Sequence, residues 1–251
     1  MKLTILGSGS AIITPTRNSP GYYLEIGKDK ILIDCGSGTL GQLTKARVDY
    51  FNLDNIFISH SHADHLTDLM GILQAIRIWR EHYNKKKKRL TIVGYQGFKR
   101  DYRYLCRVMY RRYLKDHSVK ILEMKNNTRR FGEWTVKSVL VKHTKLLCNA
   151  YRFNAKKSLV YSADCDYNEN LVNLCQKADL AIMDCAMPIQ KKIDIHMSPK
   201  ECGEIATKAK IKKIILTHFY SVKGKYDYKQ QARQYYKGPI VVAKDLMTIN
   251  I

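Results

Sequence analysis

The sequence lacks the features that mark a membrane protein or a disulfide-rich domain. No segment approaches the roughly 20 consecutive apolar residues that a membrane-spanning helix needs. The apolar run in MKLTILGSGSAII is too short and too interrupted for a signal peptide. There are seven cysteines, an odd number, and no pair has CxxC spacing. We therefore expect neither a disulfide framework nor a zinc knuckle, but a soluble protein in the reducing cytoplasm.

Acidic residues are also scarce. Aspartate and glutamate total 22 against 44 lysines and arginines, which gives a net charge of +22. Such a charge favours polyanionic partners, with nucleic acid as the first candidate. A lysine-rich proteome would produce the same total. However, twelve basic residues and one acidic residue fall within residues 85–115, so half of the net charge is concentrated in one segment.

Part of this basic segment has the periodicity of a helix. Arg100, Arg103, Arg107 and Arg111 recur every three or four residues, which places them on one helical face with tyrosines interleaved. Arginine pairs with phosphates and tyrosine stacks on bases, so these four arginines are candidate nucleic-acid-binding residues. The alternative is an amphipathic helix with a solvated basic face and half-buried tyrosines.

Short apolar segments bounded by turn residues predict two groups of strands. The first group comprises KLTILG, GYYLEI, KILIDCG, NIFIS and LTIVGY, and the second KSVLVKHT, NAYRF, SLVYSADC, ADLAIMDC, KIILTHFY and PIVVA. Helical periodicity marks DLMGILQAIRIWREHY, FKRDYRYLCRVMYRRYL and SPKECGEIATKAK, the last with a capping box from Ser198 to Glu201. Without repeats or long linkers, the pattern predicts a single domain over residues 1–251, with two sheets covered by helices on their outer faces.

The densest group of functional side chains lies in FISHSHADHLTDL, on a loop between a predicted strand and a predicted helix. It contains His60, His62, Asp64 and His65, and histidine with carboxylate suits zinc, with manganese or iron as alternatives. Three further candidates each follow an apolar strand. They are His143, Asp164 and His218. One such residue alone would be an ordinary core or surface side chain, but the set together indicates a metal centre.

HSHADH resembles the HxHxDH motif of the metallo-β-lactamase superfamily. LGSGSAIITPTRN, LIDCGSGT, YSAD and LTHF resemble successive landmarks of RNase Z, the tRNA 3′-processing endonuclease, and of its phosphodiesterase relatives. The resemblance covers nearly the whole chain. It implies an α/β protein, a four-layer αββα sandwich of the metallo-β-lactamase type, with a dinuclear zinc site at one edge of the two sheets.

The resemblance also assigns roles. It implies one metal ion on His60, His62 and His143. It implies a second on Asp64, His65 and His218, with Asp164 bridging the two. Asp64 would in addition orient the attacking hydroxide, and His196 in HMSPKE would protonate the leaving oxygen, although on its own it reads as a surface histidine. Asp34 is a candidate partner for a ligating histidine, with a purely structural role equally plausible.

Two departures from the RNase Z pattern bear on the substrate. The stretch that corresponds to the His-Glu-Ala-Thr motif reads Asp184-Cys185-Ala186-Met187, so we expect the acid that supports His196 to be lost or altered. Only 20 residues separate His143 from Asp164, which leaves no room for the arm that many RNase Z enzymes extend to grip tRNA.

Three functions are compatible with these features. The leading interpretation is a zinc-dependent phosphodiesterase that hydrolyses RNA, with tRNA 3′-end processing and a tRNA precursor as partner. The alternative is a small-molecule hydrolase of the same fold, acting on a cyclic nucleotide, another phosphodiester or a lactone, which does not need such a positive charge. The third is a non-catalytic nucleic-acid-binding relative, which the complete ligand set disfavours. The resemblance also makes a homodimer an expectation.

Overall fold

The computed structural model describes residues 1–85, 88–110 and 118–251, and arranges their strands in two seven-stranded sheets. The first sheet has the order β14-β1-β2-β3-β4-β5-β6. Its strands are β1 (Lys2–Gly7), β2 (Gly21–Ile26), β3 (Asp29–Cys35), β4 (Asn55–Phe57), β5 (Leu90–Gly94), β6 (Val119–Glu123) and β14 (Thr248–Asn250). The second sheet has the order β13-β12-β11-β10-β9-β8-β7. Its strands are β7 (Thr128–Phe131), β8 (Trp134–Val141), β9 (Cys148–Asn154), β10 (Ser158–Tyr161), β11 (Leu180–Asp184), β12 (Ile214–Thr217) and β13 (Ile240–Val242).

The two sheets repeat one topological plan. In the first, β14, β1, β2 and β3 are antiparallel, and β3, β4, β5 and β6 are parallel. In the second, β7 to β10 are antiparallel, and β10 to β13 are parallel. Each sheet therefore has a parallel half whose strands all end at the same edge. In sheets of this kind, that edge is where ligands bind.

Alternation along the strands explains why both faces of the first sheet are covered. Leu3, Ile5 and Phe57 belong to the core between the sheets, whereas Leu6 and Ile56 belong to a second core beneath the outer helices. Successive strand residues point to opposite faces of a sheet, so a strand that is apolar at successive positions must be buried on both faces. These sequences therefore require a sheet that is covered on both of its faces.

Helices cover the outer face of each sheet, as the sandwich requires. Over the first sheet lie α1 (Thr39–Lys45), α3 (Leu69–His82) and α4 (Phe98–Tyr110), and over the second lie α5 (Glu169–Cys175), α6 (Pro199–Lys208) and α7 (Tyr228–Arg233). A single turn, α2 (Ala63–Leu66), follows β4. The predicted capping box at Ser198 and Glu201 is present at the start of α6.

The predicted αββα architecture is confirmed, as two mixed sheets with flanking helices form the metallo-β-lactamase fold. The sequence pattern extends the basic helix to residue 114, but α4 is described only to Tyr110, and Arg111 lies outside the described residues. Among the helices that the structure describes, none is both long and apolar enough to cross a membrane.

Phe57 tests the packing between the sheets. Its ring lies 5.0 to 6.2 Å from those of Phe131, Trp134, Tyr151 and Phe153 in the second sheet. Phe57→Ala removes the first sheet's contribution to this aromatic cluster. We expect the free energy of unfolding to fall by about 3–5 kcal/mol, measured by denaturant titration. Val108→Ala, at a position that is 76% exposed on α4, should change it by less than about 0.5 kcal/mol. Equal effects of the two substitutions would contradict this packing.

Candidate metal centre

The predicted ligands meet where the parallel halves of the two sheets end. His60 follows β4, Asp164 follows β10 and His218 follows β12 directly. The backbone turns sharply at these ends, since Asp34, Ala163 and His218 all have φ between 52° and 64°. This left-handed region is unfavourable for residues other than glycine, so the surrounding structure must hold these turns.

The HSHADH loop packs against the turn that follows β3. A Cβ atom at Gly36 would lie 1.8 Å from the backbone oxygen of Asp64, so only glycine allows this approach. The loop then enters α2, which carries Asp64 and His65. The short helix thus presents both side chains beside His60 and His62, which precede it.

Three imidazoles form the first group of potential ligands. His60 Nε2 lies 3.0 Å from His62 Nδ1, which lies 3.1 Å from His143 Nε2. Burial lowers the pKa of each of the three, so all are neutral near pH 7. Two nitrogens bound to one tetrahedral zinc ion at about 2.0–2.1 Å are separated by roughly 3.3 Å. The spacing therefore matches three nitrogens that share one ion.

Asp164 joins this group to a second one. Its Oδ2 atom lies 3.2 Å from His65 Nε2, 3.1 Å from His218 Nε2 and 3.9 Å from His143 Nε2. Asp64 Oδ2 lies 3.5 Å from His65 Nε2. Burial alone would raise the pKa of Asp164, but His218 and His65 outweigh it and hold the pKa well below its usual range. One carboxylate oxygen is thus shared between the two groups.

Several of these atoms are buried without a well-aligned hydrogen bond. They are Nε2 of His65 and both ring nitrogens of His218, although the two Nε2 atoms lie close to Asp164. Buried polar atoms normally find partners, and metal coordination would supply one here. All seven predicted ligands lie in the two groups, and five imidazoles with two carboxylates are a donor set that zinc accepts. These buried clusters are consistent with a binuclear metal site.

Asp34 orients histidines of both groups. Its Oδ2 atom accepts hydrogen bonds at 2.7 Å from His65 Nδ1, Ser59 Oγ and Tyr161 Oη. The Ser59 hydroxyl, having donated to Asp34, accepts from His60 Nδ1 at 2.9 Å. Each imidazole therefore donates from Nδ1 and directs Nε2 into the centre, which is the orientation that a metal ligand requires. His143 is held in the same way, with Nδ1 donating to the backbone oxygen of Ile195 at 3.1 Å.

His196 lies at the centre and keeps an acidic partner, so of the two outcomes expected from the motif the pairing is altered and not lost. Its Nδ1 donates to Asp184 Oδ2 at 2.7 Å, because β11 ends at Asp184 close to the loop before α6. Burial would lower the pKa of His196, but Asp184 outweighs it and raises the pKa to about 9. A ring nitrogen of His196 lies within 4.8 Å of the ligand atoms of His143 and Asp164. Aspartate thus replaces the usual glutamate in this pair.

The candidate RNA-binding arginines lie elsewhere, on the solvent side of α4. Arg100, Arg103 and Arg107 are exposed, and Arg100 Nε donates to Asp101 Oδ1 at 3.1 Å. Of the tyrosines between them, Tyr102 packs into the core and Tyr104 is exposed. The described part of α4 is therefore a basic face with one exposed ring beside it.

Three residues at the centre were not identified from the sequence. Ser59 directly precedes His60, and Tyr161 lies within the predicted strand SLVYSADC, but hydroxyl groups at such positions are common. Tyr220 follows His218 by two residues, and its Oη lies 3.5 Å from His196 Nε2. The strand-end positions of all three were the only available signal.

Comparison with known proteins agrees with this geometry. YhfI from Bacillus subtilis, a metallo-β-lactamase fold protein, is 26% identical over 247 residues that cover 97% of each chain. Its crystal structure superposes with a TM-score of 0.87 at 23% identity, over 99% of this chain and 98% of that one. The short form of human tRNase Z superposes with a TM-score of 0.79 at 23% identity, over 100% and 99% of the two chains.

A ribonuclease Z from Archaeoglobus fulgidus is 24% identical over 311 aligned positions, which cover all of this chain and 97% of the archaeal enzyme. A family model described as anti-Pycsar protein Apyc1 matches residues 1–238. The chain therefore belongs to the anti-Pycsar Apyc1 family and is a metal-dependent hydrolase of the metallo-β-lactamase fold, related to ribonuclease Z and YhfI.

Proposed function

We propose that this chain is a metal-dependent phosphodiesterase whose substrate is a cyclic nucleotide. The observation that carries the proposal is the match to the Apyc1 family, whose activity is cyclic nucleotide hydrolysis, over residues 1–238. This was the alternative interpretation of the sequence, and the family match favours it over the RNA interpretation. The buried histidine and aspartate clusters supply the chemistry that the proposal requires.

The segment between His143 and Asp164 supports a small substrate. It consists of a tight hairpin, in which β9 ends at Asn154, β10 begins at Ser158, and Ala155 N donates to Lys157 O. The alignment with the archaeal ribonuclease Z spans 311 positions against 251 residues here, so that enzyme has about 60 positions that this chain lacks. A cyclic nucleotide, unlike tRNA, needs no extended arm to hold it.

The seven clustered residues would hold two ions, for which zinc is the first candidate and manganese or iron the alternatives. His60, His62 and His143 would hold one, Asp64, His65 and His218 the other, with Asp164 between them. When bound, such a pair lowers the pKa of a water molecule and stabilises charge on the phosphoryl oxygens. Asp64 would orient the attacking water, and Asp34 would keep the imidazoles of His60 and His65 in their ligating orientation.

His196 would complete the reaction. As water adds to phosphorus and the ester P–O bond breaks, the leaving oxygen of a ribose is a strong base and needs a proton. His196 can donate that proton from Nε2, since Asp184 holds the ring through Nδ1 and favours its protonated form. The pair thus acts as a general acid beside the metal groups.

Turnover of three substrates by the zinc-loaded protein tests the proposal. We expect hydrolysis of a 3′,5′-cyclic nucleotide and of bis-p-nitrophenyl phosphate, with no processing of a tRNA precursor that carries a 3′ trailer. Asp164→Asn should be inactive. Asp166→Asn, which instead removes an ion pair with Lys192, should stay active as the matched control. Cleavage of the tRNA precursor without turnover of cyclic nucleotides would refute the proposal.

RNA hydrolysis is the second candidate function, and the exposed arginines of α4 favour it. If RNA is the substrate, replacing Arg100, Arg103 and Arg107 with alanine should weaken binding of the tRNA precursor and flatten its salt dependence. If the arginines form only a solvated face, the three substitutions should leave turnover of every substrate unchanged.

Substitution of His196 separates proton donation from metal binding. We expect His196→Ala to lower kcat for the cyclic nucleotide by about 10²–10⁴-fold. On bis-p-nitrophenyl phosphate the loss should be much smaller, because p-nitrophenolate leaves without a proton. Asp184→Asn should act in the same direction with a smaller effect. His82→Ala, at the exposed end of α3, is the control. Equal losses on both substrates would contradict a general-acid role.

Three further expectations concern the location, the domain organisation and the oligomeric state of the protein. All seven cysteines are buried, and the cytoplasmic location expected from the sequence stays a prediction. A single domain over residues 1–251 and a homodimer also stay predictions. Size-exclusion chromatography with light scattering would test the latter.

A further inference from the structure

A cavity of about 920 Å³ lies next to the metal centre, with Tyr220 in its wall. Two loops form most of the lining, residues 14–17 and residues 219–228. Tyr220 belongs to both places, because it lines the cavity while its Oη lies 3.5 Å from His196 Nε2. A ligand in the cavity could therefore contact Tyr220, which in turn lies beside His196, the proposed proton donor. The volume falls within the range of sites that bind small organic molecules.

Aromatic rings supply flat apolar surface to the cavity. Tyr220, Tyr226 and Tyr228 line it, and all three are only partly buried. Phe219 also lines the cavity, with its ring 4.8 Å from that of Tyr228. Partly exposed aromatic rings are a common means by which proteins hold nucleobases, since every base has a π-face to stack.

The lining also contains two cationic side chains, one of which, Arg17, donates from Nη1 to Ser8 Oγ and to the backbone oxygen of Ala243. Arg17 lies in the wall with its guanidinium 4.5 Å from the centre of the Phe219 ring, and Lys225 lines the opposite loop. The one acidic residue of the lining is Asp227, whose carboxylate accepts from Gln230 N at 2.8 Å and so caps α7. The hydroxyl groups of Thr14, Thr16 and Ser221 complete the lining. This combination suits an aromatic ligand that carries hydroxyl groups, as a nucleoside does.

The loop holds the Tyr226 ring in advance of any ligand. Gly224 has φ of 115°, and a Cβ atom there would lie 2.7 Å from the Tyr226 ring, so the ring packs directly on the backbone of its own loop. Lys191 Nζ lies 5.6 Å from the centre of the same ring. A ring that is already fixed loses little conformational entropy when a ligand stacks on it.

We propose that this cavity binds the nucleoside part of the substrate, with the base stacked on Tyr226, while the phosphodiester group occupies the metal centre on the other side of Tyr220. The inference rests on the proposed function, because it divides one cyclic nucleotide between two adjacent sites. Tyr226 is then a binding residue for the base and takes no part in bond cleavage.

Calorimetric titration of the zinc-loaded protein tests the inference without relying on turnover. The probes are AMP, UMP and ribose 5-phosphate, which share a phosphate and a ribose but differ in the base. In the unsubstituted protein, the better of the two nucleotides should bind about tenfold more tightly than ribose 5-phosphate. Tyr226→Ala should abolish this difference, and Tyr226→Phe should keep it.

Two controls make the outcome decisive. Tyr226→Leu fills similar space without an aromatic face, so it should also abolish the preference if Tyr226→Ala proves unstable. Tyr83→Ala, which removes an exposed tyrosine at the end of α3, should leave the preference intact. Equal affinities for nucleotide and ribose 5-phosphate in the unsubstituted protein, or a preference that survives in Tyr226→Leu, would overturn the inference. A clear preference without turnover of any cyclic nucleotide would instead refute the proposed function and leave a nucleoside site in place.

Discussion

The arrangement of the candidate metal centre depends on one buried carboxylate, Asp34. It is 0% exposed and its backbone has φ of 52°, so both its charge and its conformation are costly unless the surroundings compensate. Four hydrogen bonds do so, from the backbone and hydroxyl of Ser59, from His65 and from Tyr161. Tyr161 belongs to the opposite sheet, so Asp34 joins the two sheets at the point where both groups of potential ligands are oriented.

The repeated plan of the sheets explains how such a centre arises. Each sheet ends its parallel half at the same edge, and each contributes candidate ligands there. His60, His62, Asp64 and His65 come from the first sheet, whereas His143, Asp164 and His218 come from the second. The centre therefore exists only when the sheets pack together, which ties metal binding to the inter-sheet core around Phe57. The cavity beside Tyr220, which we propose to hold the nucleoside, is separate from this scaffold because it is built mostly from loops.

The clustering of the candidate ligands was predictable because they follow strand ends and because HSHADH is a compact local pattern. The fold followed from the same alternating strands. Several short elements with weak periodicity were not recognised, namely β6, β7, β14, α1, α2, α5 and α7. What sequence could not reveal was tertiary pairing. The motif left open whether the acid that supports His196 is lost or altered, and the end of β11 decides this by placing Asp184 against His196. The cavity was equally hidden, because its two walls lie about two hundred residues apart in sequence.

The central claim is that Asp34 orients histidines for both metal positions. Zinc titration of Asp34→Asn, followed by competition with a chromophoric chelator, tests it most directly. The unsubstituted protein should bind two zinc ions per chain. The variant should lose about 10–100-fold in affinity at both positions, since His65 is contacted directly and His60 through Ser59. Two ions bound with unchanged affinity would contradict the account.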